Sequence, residues 1–342
     1  MIRDAIAKVV DRQDLTQEEA QGVMEEIMHG QATPIQIASF ITALRMKGET
    51  PEEIAGCARS MRANALKVET PYTDLVDTCG TGGDGAHTFN ISTIVAVVGA
   101  AAGLRVAKHG NRSVSSRCGS ADLLEAFGVQ IDLGPEAVAG CIEEVGLGFL
   151  FAPRMHPAMK HAALPRRETG IRTVFNILGP LTNPAGASVQ LLGVYSQPLT
   201  ETMARVLRLL GSKRAVVVHG ADGLDELSPT GVNHVTELMS GEIRSYTVDP
   251  QDLGLPRAKL SDLVGGTVEE NVAITERVLE GEKGARRNAV LLNAAMLLLA
   301  AEKVTDLKAG LKLAAGVIDS GQARNTLNRL VEVSRSCSLT KS

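Results

Sequence analysis

The chain of 342 residues carries a formal net charge of −4, 3% aromatic residues and no tryptophan. The acidic balance disfavours broad nucleic-acid binding, and the scarcity of aromatic rings disfavours a stacking platform for single strands. The five cysteines include no CxxC pair, which disfavours a zinc site or a redox pair and favours a reduced, cytoplasmic compartment.

Hydrophobic residues make up 44% of the chain, which is ordinary for a soluble globular protein. The N-terminal segment interrupts its apolar residues with charges too often for a signal peptide. The apolar run "TIVAVVGAAAGL" is shorter than the roughly 20 residues that a membrane span needs. We therefore expect no membrane partner, and the chain length suggests one large domain or two unequal ones.

Residues 1 to about 68 are predicted to be helical, because helix-start signals recur and no strand pattern occurs. Thr16 fits a capping box, and Thr33 and Thr50 each precede a proline at the first helical position. Gly48 is expected to end one of these helices. The segment is therefore interpreted as a small helical domain.

From about residue 72, short apolar strands alternate with helices, which predicts an α/β domain with a mostly parallel sheet. The predicted strands are "DLVDTCG", "LRVAKHG", "GVQIDL" and "RAVVVHG", and "STIVAVVGAAAG" is a predicted buried helix. Ligands bind at the carboxyl ends of such strands. Three of these ends run into polar sequence, "TCGTGGDG", "KHGNR" and "HGADGLDE", which is the first functional signal. The late segment "AVLLNAAMLLLAAEKV" is expected to be a core helix without chemistry.

The glycine-rich loop after the first strand matches the spacing of a dinucleotide-binding turn. Gly80, Gly82 and Gly85 satisfy GxGxxG, the turn that binds dinucleotides. That motif needs a helix directly after the glycines and an acidic residue about 20 positions on. Here "AHTFN" intervenes, and the next strand ends in Lys108 and His109. The dinucleotide interpretation is therefore disfavoured.

A pyrophosphate interpretation explains more of the loop. Successive glycines can turn backbone N–H groups inward as an anion nest. Asn90 is expected to cap the next helix, whose N-terminus attracts anions, while Ser92 and Thr93 add hydroxyl groups. Asp84 is the least explained member and is suited to a hydroxyl, an amide or a metal-bound water. A tight surface turn before an ordinary capped helix is the structural alternative.

Two further clusters are basic. Residues 108–122 combine cations with small donors, which suits phosphate oxygens, and a solvated loop is the alternative. The members of this cluster are Lys108, Arg112, Ser115, Ser116, Arg117, Gly119 and Ser120. Residues 153–176 hold five cations, the histidines His156 and His161, and prolines that predict a stiff, irregular segment. Its cations are Arg154, Lys160, Arg166, Arg167 and Arg172. The "FNILGPLTNP" stretch that overlaps its end suits a hinge or an interface.

The fourth cluster is the adjacent acidic pair Asp225 and Glu226 in "DGLDELS". Mg²⁺ prefers one or two carboxylates together with waters and substrate phosphates. Adjacent acids in a loop are more often simply solvated. The phosphate-type loops elsewhere in the chain favour the magnesium interpretation.

The ordered set of these motifs resembles the anthranilate phosphoribosyltransferase family of tryptophan biosynthesis. The motifs that carry the resemblance are "GTGGDG", "NIST", "KHGNR", "SSRCGSAD", "HPAMKH", "RTVFNILGPLTNP" and "DGLDELS". The resemblance implies a small helical domain, residues 1–70 completed by about 166–184, hinged to a large α/β domain of residues 71–165 and 185–342. It also implies a homodimer formed through the helical domain.

The resemblance further implies transfer of a phosphoribosyl group from phosphoribosyl pyrophosphate to anthranilate, with Mg²⁺ as cofactor. The implied phosphoribosyl pyrophosphate site comprises Gly80, Thr81, Gly82, Gly83, Asp84, Thr88, Asn90, Ser92, Thr93, Lys108, His109, Gly110, Asn111 and Ser120. The implied anthranilate site comprises Gly80, His109, Asn111, His156 and Arg166, and the implied metal ligands are Ser92, Asp225 and Glu226. No residue is assigned as general acid or base. Met155 and Pro165 depart from the usual pattern and affect only the outer anthranilate pocket.

Two other functions remain open at this point. A pyrimidine nucleoside phosphorylase would share the architecture and also react at ribose C1, but its Lys/Ser/Thr-rich signature is absent. A non-catalytic, nucleic-acid-binding relative should be basic and should lack the anthranilate-side residues, whereas this chain is acidic and has them.

Overall fold

The computed structural model describes residues 1–113 and 117–339. Four helices come first in the chain, and an alternation of strands and helices follows. Within the described residues, no helix has the length and apolar character needed to cross a lipid bilayer.

The N-terminal helices are those that the capping signals predict. They are α1 (Ile2–Val10), α2 (Gln17–Met28), α3 (Pro34–Lys47) and α4 (Pro51–Ala63). The hydroxyls of Thr16, Thr33 and Thr50 each accept a hydrogen bond from the backbone N–H three residues on, which satisfies a donor that the helix itself cannot pair. Gly48 follows α3 with a φ of +94°, a conformation that glycine adopts without strain. The predicted helix starts and the predicted stop are confirmed.

Across the described residues, the strands form one mostly parallel sheet, as predicted. They are β1 (Val76–Gly80), β2 (Val106–Gly110), β3 (Leu147–Phe151), β4 (Val189–Gly193), β5 (Arg214–His219), β6 (Asn233–Met239) and β7 (Glu242–Val248). Their spatial order is β3–β2–β1–β4–β5–β6–β7. The pairs from β3 to β5 are parallel, whereas β6 and β7 extend the sheet in antiparallel fashion.

The remaining helices pack against the two faces of the sheet, against the N-terminal helices or against one another. They are α5 (Ile91–Ala101), α6 (Ser120–Ala126), α7 (Pro135–Val145), α8 (Ala152–Met155), α9 (Lys160–Thr169), α10 (Phe175–Leu178), α11 (Leu199–Leu209), α12 (Val268–Leu279), α13 (Ala285–Ala300), α14 (Leu307–Asp319) and α15 (Gln322–Leu339). Alternate strand residues point to opposite faces. On β4 and β5, Leu191 and Val216 therefore pack with α5 and α13, whereas Leu192 and Val217 pack with α11 and with helices α1–α4.

The segment around α10 joins the apolar cluster of the N-terminal helices. Five of its side chains are buried there: Val174, Phe175, Ile177, Leu178 and Leu181. Residues far apart in the chain thus share one core with α1–α4. Arg62 on α4 ties the two together, because its Nε donates to the carbonyl oxygen of Leu181 over 2.6 Å.

Two sequence-based expectations about local structure are wrong. Residues 128–133, "GVQIDL", form no strand; they connect α6 to α7, and the strand of this region is the later β3. The segment 153–176 is helical over much of its length rather than irregular, because α9 continues through Pro165. Proline removes one donor and usually kinks a helix, yet α9 continues past it and packs against α3.

Candidate active site at the carboxyl edge of the sheet

The polar loops after β1, β2 and β5 meet at the carboxyl edge of the sheet. The backbone N–H of Gly82 donates to Asp225 Oδ2 over 2.7 Å, which joins the first loop to the third. The N–H of Ser92, in the first turn of α5, donates to Glu226 Oε1 over 3.1 Å. The acidic pair therefore lies against both the glycine loop and the start of α5, as the parallel sheet predicts.

Paired glycines make room for the acidic loop, and the second of them was missed from the sequence. Gly80 and Gly193 are register partners at the ends of β1 and β4. A methyl group on Gly80 would overlap Asp225 Oδ2, and one on Gly193 would overlap the carbonyl oxygen of Asp225. Only hydrogen at both positions lets Asp225 lie on the strand ends. The signal in the sequence is a buried strand that ends in glycine, as in "VQLLG".

The glycine loop is anchored at both ends and carries left-handed residues between them. Thr81 donates its N–H to Gly193 and accepts, at Oγ1, the N–H of Tyr195. Thr88 forms an isolated bridge with Val264. Gly82, Gly83 and Gly85 have φ values of +66°, +75° and +76°, which fits the nest geometry expected of an anion loop.

Asp84 has a structural function within this loop. Its Oδ1 accepts the N–H of Ala86 over 3.1 Å, a local turn that fixes the path toward α5. Its carboxylate also lies close to Asp225, since it contributes to the raised pKa of that residue. Three acids, Asp84, Asp225 and Glu226, therefore lie close together.

The electrostatics of the acidic pair favour a cation. Burial and the neighbouring Asp84 charge raise the pKa of Asp225 to about 7. Burial and the adjacent Asp225 also raise the pKa of Glu226 well above its usual value. Carboxylates that are hard to ionise when alone become stable anions beside a bound cation.

The donor set fits Mg²⁺. Ser92, Asp225 and Glu226 line a cavity of about 20 Å³, which is the space of a single small species. Their oxygens are the hard ligands that Mg²⁺ prefers. Within the described part of the chain, no three His, Cys, Asp or Glu side chains form a complete metal cluster. A magnesium ion here would therefore share its coordination with substrate oxygens and water.

Lys108 is buried beneath the glycine loop rather than exposed at its rim. Its side chain is 2% exposed, and Nζ lies 2.5 Å from the carbonyl oxygen of Thr78 and 3.4 Å from Ser92 Oγ. The ammonium thus places a positive charge next to a predicted metal ligand and holds its hydroxyl. The direct phosphoribosyl contact implied for Lys108 stays a prediction.

The start of α5 differs from the expectation in one respect. Asn90 occupies the N-cap position but makes no capping bond; its Nδ2 donates instead to the carbonyl oxygen of Cys118 over 3.0 Å. The expected cap is therefore wrong, because the amide is used to join this helix to the loop before α6. Asn90 Oδ1 and Thr93 Oγ1 are buried without a hydrogen-bond partner among the described residues. The start of α5 thus holds two buried polar atoms whose hydrogen-bonding capacity is unused.

The loop after β2 supplies fewer free cations than its sequence suggests. Arg112 pairs with Asp122 at 2.9 Å and with Glu125 at 2.7 Å, so its expected contact with phosphate is not supported. Asn111 is exposed and its Oδ1 accepts the N–H of Arg112. Gly110 lies against Ser120 at the start of α6, where a methyl group would come within 3.2 Å of the serine Cβ. Ser115 and Ser116 lie outside the described residues.

Two buried histidines form a neutral pair beside this edge. The rings of His109 and His156 are 5.1 Å apart. Nδ1 of His109 lies 3.0 Å from the carbonyl oxygen of Gly179, which assigns the proton to Nδ1. Burial, with a smaller effect of His156, lowers the pKa of His109 to about 3, and burial lowers the pKa of His156 to about 4. Both Nε2 atoms are buried without a partner among the described residues, so each presents an acceptor lone pair.

Arg166, on α9, is a partly buried cation. Its guanidinium lies over the ring of Phe175 at 5.0 Å, and burial lowers its pKa. Among the described residues, no carboxylate lies within ion-pair distance of it. An anionic ligand would offset this desolvated charge.

Arg172 and Tyr195 are contacts that the sequence did not reveal. The Arg172 guanidinium lies over the Tyr195 ring at 4.5 Å and donates to the carbonyl oxygen of Gly83. The basic segment thus reaches the glycine loop from the side of α9 and α10. Arg154, by contrast, points away toward Asp132 at 3.8 Å.

Two family models match the chain. The helical bundle domain of a glycosyl transferase family matches residues 3–65, and the a/b domain of that family matches residues 72–324.

Curated relatives and solved structures agree on one activity. An anthranilate phosphoribosyltransferase from Moorella thermoacetica is 59% identical over 97% of this chain and 98% of its own. Another, from Pelotomaculum thermopropionicum, is 58% identical over 97% of this chain and 96% of its own. The crystal structure of the Thermus thermophilus enzyme has a TM-score of 0.92 at 48% identity, over 97% of this chain and 99% of that one. The Saccharomyces cerevisiae enzyme, solved with phosphoribosyl pyrophosphate and Mg, has a TM-score of 0.91 at 29% identity, over 98% of both chains.

Proposed function

The chain belongs to the anthranilate phosphoribosyltransferase family, and we propose how its carboxyl edge performs that reaction. The 5-phosphoribosyl group of phosphoribosyl pyrophosphate passes to the amine of anthranilate, which gives N-(5′-phosphoribosyl)anthranilate and pyrophosphate. One observation carries the proposal. A glycine loop and an acidic pair lie at the sheet edge where β2 carries His109 near its end, and the Nε2 atoms of His109 and His156 have no hydrogen-bond partner among the described residues.

The pyrophosphate side of the site is formed by the glycine loop and α5. The N–H of the left-handed Gly82 is bound by Asp225, so the loop donors for pyrophosphate are the N–H groups of the left-handed Gly83 and Gly85. The 11-residue helix α5 adds a positive N-terminal end, and Asn90 and Thr93 add unpaired polar atoms. We assign pyrophosphate and ribose contacts to this region.

Ser92, Asp225 and Glu226 would hold Mg²⁺. The ion, when bound, would neutralise charge that develops on the departing pyrophosphate. The chain's own contribution is to keep two carboxylates and one hydroxyl together against their repulsion. Gly82 and Ser92 do so by donating N–H groups to the two acids.

Anthranilate is assigned to the region of Arg166, Asn111 and the histidine pair. A guanidinium can bind a carboxylate through two parallel hydrogen bonds. The Nε2 lone pairs of His109 and His156 can accept N–H bonds from the aromatic amine, which orients its lone pair toward ribose C1. With pKa values of about 3 and 4, these rings orient the nucleophile rather than remove its proton.

The reaction is then a displacement that depends on positioning. The anthranilate amine is neutral near pH 7, so it attacks C1 without prior deprotonation. The C1–N bond forms, the bond from C1 to the pyrophosphate oxygen breaks, and the ammonium proton is released to water. Holding the two substrates in line can lower the activation free energy by about 7 kcal/mol or more. No residue is needed as a general base.

The direct test follows anthranilate fluorescence after addition of phosphoribosyl pyrophosphate and Mg²⁺. We expect the anthranilate fluorescence to fall only when phosphoribosyl pyrophosphate, Mg²⁺ and the folded protein are all present. A persistent signal with folded protein would contradict the proposal. A parallel sample with a pyrimidine nucleoside and inorganic phosphate tests the phosphorylase alternative, and we expect no free base there.

We also propose the division into domains given above and a homodimer formed through the helical part. Three exposed apolar side chains on the N-terminal helices support a second copy as partner: Val10 on α1 and Ile35 and Met46 on α3, which are 63%, 79% and 72% exposed. The cytoplasmic location suggested by the free cysteines stays a prediction.

A further inference from the structure

Two buried asparagines hold the backbone that immediately follows the acidic pair. Leu227 comes directly after Glu226, and Asn293 on α13 binds both of its backbone groups. Asn293 Oδ1 accepts the Leu227 N–H over 2.9 Å, and its Nδ2 donates to the Leu227 carbonyl over 2.7 Å. The amide also donates to Ala289 of its own helix over 2.9 Å, which fixes its orientation.

Asn233, the first residue of β6, binds the next residue in the same way. Its Oδ1 accepts the Ser228 N–H over 2.7 Å, and its Nδ2 donates to the Ser228 carbonyl over 3.0 Å. The same amide group also reaches the carbonyls of Gly231 and Val248. Successive residues of one loop are therefore fastened to two separate elements, α13 and β6.

Both asparagines are nearly inaccessible: Asn293 is 2% exposed and Asn233 is 0% exposed. A buried amide costs free energy unless its hydrogen bonds are made. Simple filling of this core would be served as well by leucine, which follows in the same helix. What the two asparagines share is that each binds both backbone groups of one residue, Leu227 or Ser228. Asn293 also lines the small cavity between Ser92, Asp225 and Glu226.

We propose that Asn293 and Asn233 are positioning residues that preset the acidic pair for a divalent cation. They fix the loop on the C-terminal side of Glu226. Gly80 and Gly193, which have no side chains, let Asp225 lie directly against the ends of β1 and β4. The two carboxylates repel each other before a cation binds, so a loosely held loop would move them apart. This inference rests on the proposed metal function of Asp225 and Glu226.

The test compares Asn293→Ala with wild-type enzyme and with Thr236→Val as a matched control. Thr236 is also buried and loses two side-chain hydrogen bonds when replaced, but it lies within β6 and bonds to Thr200 and Ser245. Free Mn²⁺ is measured by electron paramagnetic resonance while each protein is titrated in the presence of phosphoribosyl pyrophosphate, without anthranilate. The KM for Mg²⁺ and the kcat at saturating Mg²⁺ are measured separately.

We expect Asn293→Ala to weaken Mn²⁺ binding by about 10-fold or more, the usual effect of removing a group that orients metal ligands. The KM for Mg²⁺ should rise in parallel while kcat at saturation changes little. Thr236→Val should lower thermal stability without moving either quantity. Unchanged Mn²⁺ affinity and KM in folded Asn293→Ala would overturn the proposal.

Two further variants keep the test decisive if Asn293→Ala does not fold. Asn293→Ser retains a hydroxyl that is too short to reach both backbone groups of Leu227, and Asn233→Ala acts from the other side of the loop. Either should weaken Mn²⁺ binding, and normal binding in both would contradict the inference. Wild-type protein that binds Mn²⁺ with phosphoribosyl pyrophosphate but consumes no anthranilate would instead refute the proposed function.

Discussion

Arg166 shows most directly how a single residue's surroundings indicate a ligand. A guanidinium retains its charge under all ordinary conditions, so partial burial without an anion is costly. Stacking on Phe175 offsets part of that cost. A flat carboxylate would offset the rest, and anthranilate carries one beside its reacting amine.

Replacement of Arg166 by alanine should therefore raise the KM for anthranilate by about 10- to 100-fold, the equivalent of a charge-assisted hydrogen bond. The KM for phosphoribosyl pyrophosphate should change little. Arg154→Ala is the matched control, because this arginine lies in the same basic segment but is exposed and points to Asp132. An unchanged KM for anthranilate in Arg166→Ala would show that another group binds the carboxylate.

The buried, neutral histidines should make the stability of the protein depend on pH. His156 has a pKa of about 4 when folded and about 6.5 when unfolded. Between these values the unfolded chain binds more protons, so stability falls as the pH decreases. From pH 7 to pH 5, His156 should cost about 2 kcal/mol of unfolding free energy.

Urea unfolding at the two pH values measures this effect. His156→Asn should lose about 2 kcal/mol less than wild type over the same interval. His29→Asn, at an exposed site just after α2 and beside Glu25, is the surface control. Equal pH dependence in wild type and His156→Asn would mean that His156 is protonated in the folded protein.

At the scale of elements, strand ends explain why the site lies where it does. Glycine follows or ends β1, β2 and β5, and the loops after them carry most of the chemistry. Gly193, at the end of β4, carries none, yet it is the closest constraint on Asp225. An element can therefore contribute by leaving space.

Gly193→Ala should displace the acidic loop, because its methyl group would overlap the Asp225 carbonyl. We expect loss of most activity and a higher requirement for Mg²⁺. Gly316→Ala, within α14, meets no atom within 4 Å and should be neutral or stabilise the protein by about 1 kcal/mol. Full activity of Gly193→Ala would mean that the loop is free to move without effect on the site.

Local interactions could be predicted from the sequence, whereas contacts between distant segments could not. Helix caps are local, so Thr16, Thr33 and Thr50 predicted their helices. The edge of a parallel sheet is set by topology, so Asp225 could be placed near Gly80. Other contacts depend on how distant segments pack together. They are the hydrogen bond of Asn90 to Cys118, the ion pairs of Arg112 and the two hydrogen bonds of Asn293 to Leu227. No spacing pattern encodes those contacts, and in the apolar stretch 289–300 of α13 the one polar residue, Asn293, has the sequence context of an ordinary core position.

At the scale of the whole molecule, the helical part is packed on one face of the sheet and exposes another apolar surface. Exposed apolar side chains are scattered singly in most monomers, but here Val10, Ile35 and Met46 lie on adjoining helices α1 and α3. Burying such side chains between two copies would contribute about 25 cal/mol per Å². This supports a dimer through the helical part.

Sedimentation velocity tests the dimer. Wild type should sediment as a species of twice the 36.0 kDa chain mass. The double variant Ile35→Asp, Met46→Asp should sediment as a monomer, whereas Glu242→Lys, on the edge strand β7, should remain dimeric. A monomeric wild type, or a double variant that stays dimeric, would place the interface elsewhere or exclude it.

The central claim is that one sheet edge holds both substrates and joins them with release of pyrophosphate. The most direct measurement follows pyrophosphate release and anthranilate fluorescence in the same sample, with Mg²⁺ and phosphoribosyl pyrophosphate present. We predict equal molar amounts of pyrophosphate formed and anthranilate consumed, and almost no pyrophosphate when anthranilate is omitted. Pyrophosphate release at the same rate without anthranilate, or anthranilate consumption without pyrophosphate, would contradict it.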